Sequence, residues 1–255
     1  MTPLLLLLLT AWPASTDGLT LLPLPPVRDA GRTPKLRVYV DAGHGAKDNH
    51  GAVSCICEHE EDFTARTAAA LAKALAATGR FEVKLSRSGE ARPSYAARVA
   101  EAMKWKADLI VGIHFDVRGS AITWEPEPGK PCWRAPLLQT PGEETNGFSV
   151  LWSDEDQTTR PERQAGARIG REISKSMAAA GFEPYGGWDY QGLYVADEVP
   201  GCFIARRKVW MLKKPTIPSL IIETHHALDL QERARWDEAR TLEVFAAAVA
   251  AALLR

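Results

Sequence analysis

The stretch Val38-Tyr-Val-Asp-Ala-Gly-His-Gly45 decides the fold of this chain. Its apolar, β-branched residues predict a buried strand, which breaks at once into a histidine with a glycine on either side. Leu109-Ile-Val-Gly-Ile-His114 and Ser219-Leu-Ile-Ile-Glu223 repeat the pattern, because each apolar run again ends on one polar residue. Buried parallel strands bring their carboxyl ends to one edge of a sheet, where α/β proteins place their sites. The sequence therefore predicts an enzyme with its reaction centre along one sheet edge.

Helical segments alternate with these strands along the chain. Apolar residues recur at helical spacing in four segments, 62–78, 95–105, 160–180 and most of 228–255. Further strands are predicted at 81–86 and 147–153. The alternation predicts the α/β class, as a single domain with a mostly parallel central sheet, helices on both faces and a catalytic edge at the carboxyl ends of the strands.

The first 35 residues differ in composition from the rest of the chain. Leu4–Leu9 is an apolar block too short to span a bilayer, but it has the size of a signal-peptide core. We therefore predict a signal peptide over residues 1–16, and with it export to the periplasm or the cell exterior; the alternative is a start without regular structure. Residues 17–35, rich in Leu and Pro, are predicted as an extended lead-in to a catalytic domain over 36–255.

A long insert is predicted over residues 116–146. The segment contains many turn-forming residues, two tryptophans, Trp124 and Trp133, and little periodicity. It follows a strand that ends at the functional edge, so it either lines a substrate cleft or forms a variable excursion on the surface.

Composition excludes some classes of partner. The 255 residues are 45% hydrophobic, which is enough to bury a substantial core in one domain. The 31 basic and 32 acidic residues leave a formal net charge of -1, so no overall field would gather nucleic acid. After the amino-terminal block, no stretch is long and apolar enough to predict a membrane span.

The cysteines are Cys55, Cys57, Cys132 and Cys202. An oxidising compartment favours at least one bridge, and we predict the pair Cys132–Cys202 because both lie in Pro-containing, loop-like contexts. One alternative is four free thiols. Another is a separate metal site made of Cys55, Cys57 and His59, although a Cys-x-Cys-x-His pattern lacks its usual second half.

Four residues have the chemistry of a zinc hydrolase. Such an enzyme needs three protein ligands, an open position for water and a carboxylate that accepts the proton of that water. His44, Glu60 and His114 supply the ligands for one zinc ion per chain, and Glu223 supplies the base. Two neutral imidazoles and one carboxylate leave the ion with net positive charge, which suits hydrolysis of an amide.

Structural roles compete with these assignments. A histidine at a strand end, such as His114, is often only a hydrogen-bonded core residue. Glu60 heads a predicted helix, where an acid commonly serves the helix dipole, and Glu58 and Glu61 compete with it for the ligand role. Glu223 is harder to explain structurally, because an unpaired carboxylate at the end of a buried strand costs free energy.

Together these residues resemble a known family, the zinc-dependent N-acetylmuramoyl-L-alanine amidases. Val40-Asp-Ala-Gly-His-Gly45 resembles the family's Asp-x-Gly-His-Gly, whose histidine binds zinc. Glu60-Glu-Asp-Phe63 resembles the Glu-Lys-Asp-Val block that begins the first helix, so the resemblance selects Glu60 as the second ligand. Ile113-His114 resembles the family's Ile-His with the third ligand, and Glu223 falls where the family has its catalytic glutamate. The resemblance extends over residues 36–254.

The resemblance implies that the substrate is peptidoglycan or a muropeptide and that the bond cleaved joins the lactyl group of N-acetylmuramic acid to L-alanine. Two departures alter the cleft wall. The family usually continues with Gly-Phe and a small-Asn pair after its glutamate, whereas this chain has Thr224-His225-His226-Ala227. After His114 the usual small-Asn-Ala is replaced by Phe115-Asp116-Val117. His225 or His226 either steadies an oxyanion or makes a structural hydrogen bond.

Two other functions stay open at this point. One is a related zinc amidohydrolase or carboxypeptidase that acts on small N-acyl amino acids or peptides, which the altered residues after Glu223 favour. The other is an inactive module that binds wall fragments, which would require the loss of a residue that the chemistry needs. All four residue types are present in this chain.

Overall fold

The computed structural model describes residues 18–25, 34–119, 145–155 and 158–255. The predicted signal peptide and most of the predicted insert lie outside these ranges. The strands are β1 Leu36–Ala42, β2 Phe81–Leu85, β3 Leu109–Asp116, β4 Ser149–Trp152, β5 Tyr194–Ala196, β6 Cys202–Ala205 and β7 Ser219–His226. The helices are α1 Glu60–Ala77, α2 Tyr95–Trp105, α3 Arg160–Ala179, α4 Trp210–Lys213, α5 Leu230–Arg235 and α6 Ala239–Leu253. Within the described ranges, no helix combines the length and the apolar character that a bilayer crossing requires.

The described strands form one sheet in the order β2-β1-β3-β7-β4-β6-β5. β2, β1, β3 and β7 are parallel to one another, and β4 is parallel to β6. β4 runs antiparallel to β7, and β5 runs antiparallel to β6. The predicted α/β class with a mostly parallel sheet is confirmed.

Helices cover both faces of the sheet. Alternate residues of each strand point to opposite faces, so Val38 and Tyr39 enter different cores. Val38 packs in a core with apolar residues of α1, α3 and α6, including Leu71 and Phe245. Tyr39 packs in a second core with residues of α2 and α4, including Met211. The two cores account for the predicted layers of helix, sheet and helix.

Several predicted boundaries match the structure, and three elements have no counterpart among the predictions. α2 spans the predicted residues, and the side chain of Ser94 caps it by accepting from the amide of Ala97 at 3.2 Å. β5, β6 and α4 span only three or four residues each. Segments this short show no measurable periodicity, because one turn of a helix or one alternation of a strand is not a repeating pattern.

The predicted Cys132–Cys202 bridge is wrong. Cys202 is a free, buried thiol at the start of β6, and its Sγ lies 3.7 Å from Oδ2 of Asp197. Cys132 lies outside the described residues. Cys57 is disulfide-bonded, whereas Cys55 is free and buried. This excludes four free thiols, and it excludes a metal site at Cys55, Cys57 and His59 because a bridged sulfur has no thiolate to offer.

Candidate metal centre and pocket

Three neighbouring strands deliver polar side chains to one sheet edge. β1 leads directly into the loop that carries His44, and the amide of Gly43 still donates to the carbonyl of Ile113 on β3 at 3.1 Å. His114 near the end of β3 is the register partner of Glu223 on β7. The parallel arrangement therefore brings the ends of all three predicted segments together, as their sequence pattern indicates.

Glycines make room for the cluster. A Cβ on Gly43 would lie 2.4 Å from the Cε1 atom of His114, which is far inside van der Waals contact. A Cβ on Gly51 would lie 2.6 Å from Cβ of Glu60 and 2.7 Å from Cγ of His44. His44 itself has φ +57°, a left-handed conformation that the turn after β1 requires. The glycines are thus explained by close packing around the three side chains.

Glu60 joins the two histidines. Its Oε2 lies 3.1 Å from Nε2 of His44, and its Oε1 lies 2.9 Å from Nδ1 of His114. The two imidazole rings meet edge to face with centroids 5.0 Å apart. One ligand atom from each of the three residues fits within a span of 4.8 Å, so the group has the spacing of a metal-binding set.

The neighbouring acids point elsewhere. Glu61 pairs with Arg92 and with His50, whose Nδ1 lies 2.5 Å from Oε1 of the carboxylate. Glu58 forms ion pairs with Arg66 and Arg233. Of the three acids that compete for the ligand position in the sequence, only Glu60 contacts His44 and His114.

A hydrogen bond orients His44. Oδ1 of Asn49 lies 2.8 Å from Nδ1 of the imidazole, so Nδ1 donates the bond and Nε2 is left to face Glu60. The amide of Gly45 donates to the carbonyl of Asn49 at 2.8 Å, which holds the loop closed around this contact. Sequence reasoning missed Asn49, whose one available signal is its place in the loop after the His44 motif.

The electrostatics of the cluster favour a charged carboxylate. Burial raises the pKa of Glu60, but the hydrogen bonds from His114 and His44 outweigh it and lower that pKa to about 2. For His44, burial acts to lower the pKa, and the contact with Glu60 raises it above its ordinary value. A negative charge is therefore fixed between two imidazoles. One carboxylate and two imidazoles are a ligand set that suits a divalent metal ion.

Glu223 is partly buried, and one of its carboxylate oxygens is buried without a hydrogen-bond partner. Its Oε2 makes no hydrogen bond within the described part of the chain, and neither does Nε2 of His114 beside it. Burial, followed by the charges of Asp116 and Glu60, raises the pKa of Glu223 well above its ordinary value, against the opposing effect of Arg118. Buried polar atoms without partners are rare and call for a ligand or a catalytic role. A carboxylate in this state is suited to accept and return a proton.

All four predicted site residues line a single pocket of about 430 Å³. The volume falls in the range of small-molecule and substrate sites. The residues that line it with His44, Glu60, His114 and Glu223 include Asp116, Tyr194, Arg207, Lys208 and Trp210. The structure therefore brings together the whole set selected from the sequence and adds a wall that the sequence did not reveal.

His225 and His226 do not line the pocket. His225 is fully buried and stacks on Trp236 with centroids 5.5 Å apart, and its Nδ1 lies 2.9 Å from Oγ1 of Thr224. Nδ1 of His226 accepts from the amide of Arg118 at 3.1 Å. Of the two roles open in the sequence, the structure supports the hydrogen-bonded structural one.

Arg118 is a buried cation that sequence reasoning missed. Its Nε donates to Oδ2 of Asp116 at 3.0 Å, and its Nη1 donates to the carbonyls of Thr145 and Gly147 at 2.8 and 2.7 Å. The guanidinium also lies 3.9 Å from the ring centroid of Tyr185. These contacts hold Asp116, a pocket residue, close to Thr145 and Gly147.

Fold and side chains together define a class. A parallel α/β sheet with two histidines and a glutamate at its carboxyl edge, beside an unpaired carboxylate, is the arrangement of metal-dependent hydrolases. A family model described as N-acetylmuramoyl-L-alanine amidase matches residues 38–255. The chain belongs to this family, and the family predicted from its motifs is confirmed.

Known proteins of this family resemble the chain in sequence and fold. The N-acetylmuramoyl-L-alanine amidase AmiC of Escherichia coli O6:H1 is 34% identical over 87 residues, which is 34% of this chain. The matched region spans 21% of AmiC, so the chain covers about a fifth of that relative. The amidase AmiC2 of Nostoc punctiforme has a TM-score of 0.60 at 20% identity over 87% of this chain and 97% of its own. The amidase Ami1 of Mycobacterium smegmatis has a TM-score of 0.65 at 20% identity over 86% and 94%.

Proposed function

We propose that the protein hydrolyses the amide bond between the lactyl group of N-acetylmuramic acid and L-alanine in peptidoglycan. One observation carries the proposal: His44, Glu60, His114 and Glu223 line one pocket in a chain of the amidase family. The first three residues would hold one zinc ion per chain, and Glu223 would act as the general base.

The side chains present fit a zinc ion. Two imidazoles and one carboxylate are a ligand set that leaves a position open for water. Nε2 of His114 is buried with no hydrogen-bond partner among the described residues, as expected of an atom reserved for a ligand. When bound, zinc lowers the pKa of a water molecule toward neutrality and polarises a carbonyl oxygen.

The protein's own groups handle the proton and the geometry. Glu223 accepts the proton of the attacking water and delivers it to the alanine nitrogen as the amide bond breaks. Its environment suits the first step, because a carboxylate whose pKa is raised is a stronger base toward the proton of the water. Asn49 holds His44 in one tautomer and one orientation, so the site needs little rearrangement when the substrate binds.

The proposal extends to the organisation and location of the chain. Residues 36–255 form the catalytic domain, residues 17–35 the lead-in and residues 1–16 a signal peptide for export to the periplasm or beyond. One observation and the proposed substrate support export. Cys57 is disulfide-bonded, which is typical of an oxidising compartment, and the proposed substrate is an extracytoplasmic polymer.

The test combines metal analysis with product analysis. Purified protein is expected to contain one zinc per chain and to release free stem peptides from peptidoglycan, with a new alanine amino group seen by mass spectrometry. The Glu223→Gln variant is expected to keep its zinc and its fold but to lose turnover. The control Glu243→Gln, which alters an exposed glutamate on α6, is expected to keep its zinc, its fold and its turnover. Hydrolysis of small N-acyl amino acids without attack on peptidoglycan would instead support the amidohydrolase alternative, and an active Glu223→Gln variant would overturn the role of the base.

A further inference from the structure

One wall of the pocket carries two cationic side chains. Arg207 and Lys208 lie in the loop between β6 and α4, are exposed and line the pocket together with Glu223. Neither forms an ion pair within the described ranges. The preceding residue, Arg206, does form ion pairs. Its Nη1 lies 2.7 Å from Oδ1 of Asp154 and 3.8 Å from Oε1 of Glu155.

The loop that carries these cations is held in place by backbone hydrogen bonds. The amides of Arg206 and Arg207 both donate to the carbonyl of Leu193, at 2.9 and 3.2 Å. The amide of Val209 donates to the carbonyl of Arg207 at 3.0 Å. The two side chains therefore project from a fixed backbone, which lowers the entropy cost of using them to bind a ligand.

Arg207 is close enough to act on the reaction centre. The charge of Arg207 lowers the pKa of Glu223 and that of the Tyr194 hydroxyl, in both cases against the larger effect of burial. Trp210, 46% exposed, adds an apolar ring to the same wall. The pocket is thus lined by three acids, Glu60, Asp116 and Glu223, and by the two cations of this loop.

The proposed substrate carries its negative charge on only one side of the bond that is cleaved. The single carboxyl of N-acetylmuramic acid is consumed in the scissile amide, so the sugar side of the bond carries no charge. The peptide side begins with the alanine nitrogen and keeps at least its own terminal carboxylate. A cationic wall therefore has a counterpart only on the peptide side.

We infer that Arg207 and Lys208 form a subsite that binds a carboxylate of the stem peptide and so sets the direction in which the substrate lies in the pocket. The inference rests on the proposed function and deepens it by naming the group recognised. Arginine suits this role because its planar guanidinium donates two parallel hydrogen bonds to a carboxylate.

The experiment compares two substrates on three proteins. The substrates are an N-acetylmuramoyl-L-alanyl peptide with free carboxylates and the same peptide with every carboxyl converted to carboxamide. The proteins are the zinc-loaded wild type, the double variant R207Q/K208Q and the control R206Q, which removes a neighbouring cation already paired outside the pocket. The double variant is expected to raise KM for the acidic peptide by about tenfold or more with kcat little changed, as for the loss of a charge-assisted hydrogen bond.

The remaining combinations decide the inference. KM for the amidated peptide should stay within about twofold in all three proteins, because no charged contact is lost. An equal rise in KM for both peptides, or no rise for either, would overturn the carboxylate subsite. Two measurements keep the proposals apart. If the wild type cleaves neither peptide, the proposed function fails. Binding of the two peptides to the zinc-loaded Glu223→Gln protein, measured by calorimetry, tests the subsite without turnover, and equal affinity for the acidic and the amidated peptide refutes it.

Discussion

His114 on β3 and Glu223 on β7 are paired residues in the parallel register of two adjacent strands. Adjacent strands lie about 4.8 Å apart, so backbone hydrogen bonds alone set the distance between these two Cα positions. Their neighbours Ile113 and Ile222 are also paired and fully buried, which pins the register because a slip of one residue would turn apolar side chains toward the other face. The proposed ligand and the proposed base are thus positioned by the core of the sheet rather than by loops.

Glu60→Gln is expected to abolish stoichiometric zinc binding. The carboxylate is the one charged ligand of the set and lies 3.1 and 2.9 Å from the two imidazoles. Its loss should cost more than the roughly 10- to 100-fold in affinity that a supporting contact supplies. Zinc content after dialysis, measured by atomic absorption, checks this. Glu61→Gln, one residue along the same helix, is the matched control, and equal zinc loss in both variants would reject Glu60 as the selected ligand.

Gly43→Ala is expected to weaken zinc binding and lower the melting temperature. The added Cβ would meet the ring of His114 at 2.4 Å, so the imidazole or the loop must shift from its present position. Overpacking of this kind typically costs about 1–3 kcal/mol. Gly186→Ala is the control, because a Cβ at Gly186 has nothing within 4 Å. Thermal unfolding and zinc titration of the two variants should therefore diverge, and identical behaviour would show that the close approach at Gly43 has no consequence.

Asn49→Ala is expected to lower zinc affinity by about 10- to 100-fold, as other losses of an orienting hydrogen bond do. The side chain accepts from Nδ1 of His44 at 2.8 Å, which keeps a proton on Nδ1 and turns Nε2 toward Glu60. Asn49→Asp keeps an acceptor at this position and should restore most of the affinity. Competition titration with a chelator measures both variants. If the Asn49→Asp variant binds zinc no more tightly than Asn49→Ala, Asn49 acts through the backbone of its loop and not through its side-chain acceptor.

His226 is expected to make the metal-free protein less stable in mild acid. Burial, followed by the charge of Arg118, lowers the pKa of His226 from 6.5 to about 4. As the pH falls below 6.5 the unfolded chain takes up a proton that the folded chain refuses until about pH 4, so stability decreases through this window. Proton linkage predicts that this residue lowers the free energy of unfolding by about 2 kcal/mol between pH 7 and pH 5.

The measurement is urea unfolding at the two pH values in the presence of a chelator. His226→Asn keeps an acceptor near the amide of Arg118 but cannot titrate, so its stability should fall less than that of the wild type. Equal losses in the two proteins would contradict the assignment of this pH dependence to His226.

The local sequence pattern was sufficient to predict an element where the element is long and its apolar residues follow a clear pattern. The helix Tyr95–Trp105 is found at its predicted bounds, and the apolar run before His114 is the central strand that its composition predicts. Glycine at position 43 also had a signal in the sequence, since small neighbours beside a histidine indicate close approach. β6 had none, because four residues that follow Pro200 and Gly201 do not reveal a strand until β4 and β5 pair with them.

The amino-acid sequence by itself determined the class of fold and the family and supplied the candidate site residues, because buried strands and their polar ends are patterns among residues close together in the chain. Only the tertiary structure decided which acid meets the histidines, that Cys202 stays free, that Arg118 is buried against Asp116 and that Arg207 and Lys208 share a pocket with Glu223. These facts depend on contacts between residues far apart in the chain. No local pattern encodes such contacts, since they arise from the packing of the sheet and its helices into one core.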